Sequence, residues 1–326
     1  SGFSEEEAVL RTVGPAHQYL AKPCDDNMLL ETIDNALDLR NLLTNPDLRS
    51  LVGGIDTLAS PPSTYTNLVN ALEDPMVSND KLTSIVASDI ALTAEILKLT
   101  NSAYFAIRQN ITSVSLAIRM LGIDTLKALA LFTGLFRSYD GPKTDATRMM
   151  QLCQRSQQLG VLATLIAEQE KLAPEIINVM PAIGMLSHTG SLILYAFRAK
   201  EMTEVIKRVE SEDIPINLAE RDQFGAAHPE IGAYLLGLWG FPSAMVQTVA
   251  YHHRPQDTPH NEMDALTTIY VAQHLAREVA IELRTGTAPE SRIDIEYLER
   301  MNKADRLPAW RETAKLVEEK YSELAK

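Results

Sequence analysis

In "SVSLAIRMLG", Val114, Ala117, Ile118 and Leu121 recur at i, i+3, i+4 and i+7, the spacing that gathers side chains onto one face of an α-helix. Ser113 stands where a cap belongs and Gly122 where such a helix stops. The same period predicts helices over "STYTNLVNALED" and over 79–86, 89–101, 144–170, 174–197, 199–210, 228–239, 242–253, 262–284 and 306–325, with another starting at Asp124. "TNPDLRSLVGGIDTLASPPS" reads as a loop closed by the Pro61–Pro62 pair, and beyond it no stretch alternates apolar and polar residues at strand length. The first 45 residues differ. "SEEEAVLRTV" has Ser4 as a cap and three glutamates in its first turn, where the helix dipole favours negative charge. "HQYLAK" is apolar enough for a buried strand that Pro23 ends, and "DDNMLLETIDNALDLRNLL" carries Leu29, Ile33 and Leu37 on a helical face. The pattern therefore predicts a mainly α, multi-helical chain: a small α/β piece over 1–45, a linker over 46–60, and a helical domain over 61–326 with its core at about 61–285 and a C-terminal helical extension.

Composition narrows the classes of function. With 326 residues, 45% of them hydrophobic, there is material for a large core. A net charge of -13 argues against a broad phosphate-neutralising surface, so no nucleic-acid partner is expected. The helices meeting at Gly122 superficially suggest a helix-turn-helix, but "DTLKALALFTGLF" is too apolar to read bases. Cys24 and Cys153 make neither a disulfide framework nor a thiolate metal site. The most apolar region, Leu116 to Phe136, is interrupted by Arg119, Asp124 and Lys127, short of the roughly 20 apolar residues that span a bilayer. No membrane partner and a cytoplasmic location follow as expectations. The chain opens without methionine, which reads as part of a longer protein.

The N-terminal segment resembles the last third of a two-component receiver domain. In that family a hydroxyl residue ends the fourth strand, an aromatic sits on the fifth, and a lysine before proline follows; Ser1, Tyr19, Lys22 and Pro23 match. The resemblance implies that lysine and hydroxyl hold phosphoryl oxygens on an aspartate lying earlier in such domains. It also implies a histidine kinase upstream of the full-length protein and a pairing face for a homodimer.

Four histidines stand where helical metal phosphohydrolases place ligands: His188 in "GMLSHTGSLIL", His228 in "HPEIGAYLL", and His252 with His253 in "AYHHRP". Pro229 suits the first turn of a helix and Pro255 follows the histidine pair. Imidazole with carboxylate can hold a divalent ion that activates water. The carboxylates, however, are missing from the pattern. Thr189 occupies the position of an aspartate, Arg155 in "CQRSQQLG" that of a first histidine, and Gln273 that of a last aspartate. No metal or cofactor is therefore expected.

The segments "DIALTAEILKLTNSAYF", "ITSVSLAIRMLGIDTLKALAL", "GMLSHTGSLIL", "ERDQFGAAHPEIGAYLLGLWGFP" and "VAYHHRP" together resemble an HDOD domain over about 50–285, the degenerate relative of HD and HD-GYP phosphohydrolases. HD-GYP is a poorer match, since no GYP loop follows His253 and Arg254 replaces the expected glutamate. The resemblance implies a non-catalytic regulatory module of a response regulator that recruits a downstream signalling protein. The alternative is a metal-dependent phosphohydrolase acting on a nucleotide or cyclic dinucleotide.

Overall fold

Proline, glycine and short polar caps punctuate the chain into helices. A computed structural model describes residues 41–101, 110–130, 136–259 and 262–324. Of the α/β segment read over 1–45, residues 1–40, with Ser1, Tyr19 and Lys22, lie outside them, as do Ser102 and Tyr104 of "NSAYF". The elements are α1 (Pro46–Gly53), β1 (Ala59–Ser60), α2 (Pro62–Glu73), α3 (Asn79–Val86), α4 (Ile90–Thr100), α5 (Val114–Leu121) and α6 (Ile123–Ala128). After these come β2 (Arg137–Ser138), α7 (Lys143–Gln169), α8 (Pro174–Leu186), α9 (Thr189–Phe197), α10 (Ala199–Glu212), α11 (Ile216–Phe224) and α12 (His228–Leu238). The last are α13 (Ser243–Tyr251), α14 (Ala265–Thr285), α15 (Ile295–Arg300) and α16 (Leu307–Leu324). The mainly α, multi-helical expectation holds.

The helix read at 114–121 forms with Ser113 accepting from the Leu116 amide and Gly122 at φ 76° ending it. Asp89 caps α4 through the Leu92 amide, and every residue of α4 is buried, Leu92, Ile96 and Leu99 among them. Asn101 closes that helix and clamps the chain beyond, bonding both the amide and the carbonyl of Ile111 at 2.7 Å. Trp239 and Phe241 are buried about the turn at Gly240.

Four expectations need correction. Residues 46–53 are helical rather than loop, because Asn45 caps Asp47 and Leu48 while Leu48 and Val52 enter the core. Ala59–Ser60 pairs in parallel with Arg137–Ser138, a short ladder in a region read as strandless. Here Leu58 N–H donates to Glu95 and Ser60 Oγ to Asp89, which tie the segment to α4. The helix read over 174–197 is two helices, broken at Ser187 and His188. The apolar pattern runs through that break, so hydrophobicity alone does not reveal it. Finally α11 was missed, although Pro215 and Gly225 bracket it.

Residues 174–197 are long and apolar enough to cross a bilayer, but 67% of that stretch's most apolar window is buried in the protein. Met180, Ile183, Leu186, Leu192 and Ile193 are core residues. That burial accounts for the apolarity.

Candidate functional site: a buried cluster of histidines

Two close crossings of glycine-bearing helices assemble the site. A Cβ on Gly184 would lie 2.3 Å from Gly160 Cα, so α7 and α8 meet backbone to backbone. Ser156 lies one turn before Gly160, and His188 one turn beyond Gly184. A Cβ on Gly190 would lie 2.1 Å from the His228 carbonyl oxygen and 2.8 Å from Gly232 N, so α9 and α12 touch at the point where both histidines sit. His252 and His253 follow the end of α13.

The rings form one group. Centroids are 5.6 Å apart for His188 and His228, 5.3 Å for His228 and His252, and 6.1 Å for His188 and His252. His253 stands 5.0 Å from His228 and 4.4 Å from His252. His228 and His252 are fully buried, as are Thr189 and Ser156.

Partners assign the tautomers. Ser156 gives its single hydroxyl hydrogen to the Leu152 carbonyl at 2.8 Å, so it accepts from His188 Nδ1 at 2.9 Å. His252 Nδ1 donates to the Val249 carbonyl at 2.7 Å. Gln273 Nε2 donates to the His252 carbonyl and lies 3.4 Å from His253 Nδ1, which leaves the His253 hydrogen on Nε2. That hydrogen points at His228 Nε2, 3.2 Å away. His228 Nε2 is therefore an acceptor, and its Nδ1 donates to Glu220 at 2.6 Å.

Glu220 overturns the expectation that no carboxylate stands beside the imidazoles. Its Oε2 also accepts from the His228 amide at 2.9 Å, and the side chain is wholly buried. It was missed because it lies on the unrecognised α11; the signal was present, since "ERDQFGAAHPEIG" places it eight residues before His228 on a segment ended by glycine. Ser156 was missed for a related reason. The α7 residue that bonds His188 is Ser156, one position beyond Arg155, whose side chain is exposed.

Burial holds His188 down at about 3, helped by His228 and the Arg155 charge. Burial and the neighbouring imidazoles hold His252 and His253 well below the usual histidine range. All three are neutral at physiological pH, the form that offers a lone pair. His252 Nε2, Thr189 Oγ1 and Glu220 Oε1 have no hydrogen-bond partner among the described residues. Around this group, Glu230 pairs with Arg221 at 2.7 Å and with Arg254 at 2.6 Å, and it accepts from the Ala227 amide at 3.0 Å. Arg254, read as a substituted glutamate, thus holds the histidine-pair loop to α12.

A sequence profile described as the HDOD domain matches residues 58–255. A protein of Treponema pallidum whose function is uncharacterized is 23% identical over 229 residues, covering 70% of this chain. The chain spans only 44% of that relative's length. Among solved structures, the MmoQ response regulator of Methylococcus capsulatus is similar with a TM-score of 0.57 at 21% identity, over 79% of this chain and 93% of that one. A virulence factor of Campylobacter jejuni is similar with a TM-score of 0.56 at 17% identity, over 80% and 96% of the two chains. These likenesses concern the fold. The profile covers more than half the chain and takes in all four clustered histidines, and the protein belongs to the HDOD domain family.

Proposed function

We propose that the chain is a non-catalytic regulatory module of a response regulator, acting through contact with a downstream signalling protein. One observation carries this reading: beside His188 the cluster presents the buried hydroxyl of Thr189 where a hydrolytic centre would use an acid. Both bonds of Glu220 Oε2 go to His228, and position 189 supplies a hydroxyl instead of an acid. A hydrolytic centre needs a group to take a proton from water or bridge a second metal. The phosphohydrolase alternative draws support from the three clustered imidazoles and from the unpartnered Glu220 Oε1, but position 189 offers it no acid to pair with His188.

In this reading, phosphorylation by a histidine kinase enters through a receiver preceding residue 45. The route lies through Asn45, whose Nδ2 donates to the Phe224 carbonyl at 2.9 Å. Phe224 ends α11, the helix carrying Glu220, and α1 packs against α12. A change in the N-terminal segment thus bears on the turn holding the histidine cluster, and shifts the population of two packings there.

The test uses the full-length protein with a phosphoryl mimic on its receiver, followed by amide hydrogen exchange. Altered protection over 216–238, abolished by Asn45→Ala, is expected. Unchanged exchange in that hairpin refutes the coupling, and metal-dependent hydrolysis of nucleotides or cyclic dinucleotides that is lost in His188→Ala refutes the non-catalytic assignment.

A further inference from the structure

His188, His228 and His252 each turn Nδ1 outward, to Ser156, Glu220 and the Val249 carbonyl. Nε2 is therefore the ring nitrogen left without a hydrogen in each. One ligand nitrogen from each lies within 4.8 Å of the others. Acceptors gathered in this way call for a donor or an ion, since buried polar groups almost always find partners. His253 supplies a hydrogen to His228 alone, and His252 Nε2 has none among the described residues.

A water molecule donates two hydrogens; it would serve His188 and His252 while His253 serves His228. A divalent cation serves all three. Two features favour the cation. First, Glu220 behind His228 makes the carboxylate–histidine pair that fixes ring orientation and raises ligand basicity at metal centres. Second, the size is suitable: a point central to three atoms no more than 4.8 Å apart lies at most about 2.8 Å from each, so closing to the ~2.0–2.1 Å of a zinc–nitrogen bond takes a movement of roughly 0.7 Å.

We propose that His188 Nε2, His228 Nε2 and His252 Nε2 form a mononuclear site for a borderline divalent cation, zinc above all, with Glu220 as the positioning carboxylate. Neutral nitrogen donors select zinc, cobalt or nickel over magnesium or calcium, which prefer oxygen. Three protein ligands leave a fourth position open, and His228 must exchange its bond from His253 for the ion. The site stands independently of the regulatory reading, because binding an ion does not require turnover.

The chain, stripped with a chelator, is titrated with zinc chloride against a chromophoric competitor. One tightly held equivalent is expected, weakened at least about 100-fold in His252→Gln and about 10–100-fold in Glu220→Gln, the range for outer partners of ligands. His274→Gln, whose ring packs on Tyr270 and is not one of the three clustered ligands, is expected to bind as the parent does. Should a variant fail to fold, as judged by circular dichroism, zinc-edge X-ray absorption on the parent counts the imidazoles directly, with three expected. Absence of a tight equivalent, affinity unchanged in folded His252→Gln, or fewer than three imidazoles at the edge would overturn the proposal and leave a bridging water as the occupant.

Discussion

Replacing Gly190 by alanine tests the crossing on which the histidine cluster depends. The added Cβ would stand 2.1 Å from the His228 carbonyl oxygen and 2.8 Å from Gly232 N, whereas close carbon–oxygen contacts begin near ~3.3 Å. Both obstacles are backbone, so no rotamer change relieves them, and α9 must move from α12 by about 1 Å. Overpacking a core typically costs ~1–3 kcal/mol when side chains can adjust. With backbone on both sides, the upper end, about 3 kcal/mol, is expected. For a domain of this size each kcal/mol lowers Tm by ~2–4 °C, which predicts a fall of about 6–12 °C. Thermal unfolding followed by circular dichroism reads it. Gly53→Ala is the control, because its Cβ meets nothing within 4 Å. A Gly190→Ala Tm equal to that of the parent would mean that the helices do not meet at this distance, and the placement of His228 against His188 would fall with it.

Two further outcomes are expected. Burial raises Asp89 to about 6 and Glu95 to about 7, against backbone, Ser60 and Lys98 interactions that lower one or the other. Because both folded values lie above the unfolded ones, their contribution is complete below about pH 4 and is lost as pH rises through about 6 to 7, by up to ~3 kcal/mol each. The buried neutral histidines His188, His252 and His253 pull the other way as pH rises, so the readout is a difference. Between pH 4 and pH 7 the Tm of Asp89→Asn with Glu95→Gln should gain on that of the parent, and a constant difference contradicts the burial argument. Separately, the buried Glu170 carboxylate holds Lys303 at 2.6 Å, Arg306 at 2.7 Å and Trp310 Nε1 at 3.0 Å. Glu170→Ala removes the shared acceptor of Lys303, Arg306 and Trp310 Nε1, so it should lower stability, and limited proteolysis should then cut preferentially within 295–324; an unchanged cleavage pattern argues that the C-terminal helix is held by its apolar face alone.

What the sequence determined by itself is the local and periodic part of the structure. The 3.6-residue recurrence of apolar positions, with Ser113 and Gly122 bounding one helix and Pro229 opening another, depends only on neighbours along the chain. The extended motifs from "DIALTAEILKLTNSAYF" to "VAYHHRP" carried the family in the same way. The break at His188 was not legible, because α8 and α9 are both apolar and only contact with α12 separates them. Nor was the chemistry of the cluster. Counting acids beside each histidine along the chain finds none, while the carboxylate that bonds His228 arrives from α11 and the hydroxyl that bonds His188 from α7. Which nitrogen faces inward was decided by those acceptors, and the acceptors were placed by glycine crossings between helices distant in sequence. Periodicity records which face is buried; only packing decides which buried groups meet.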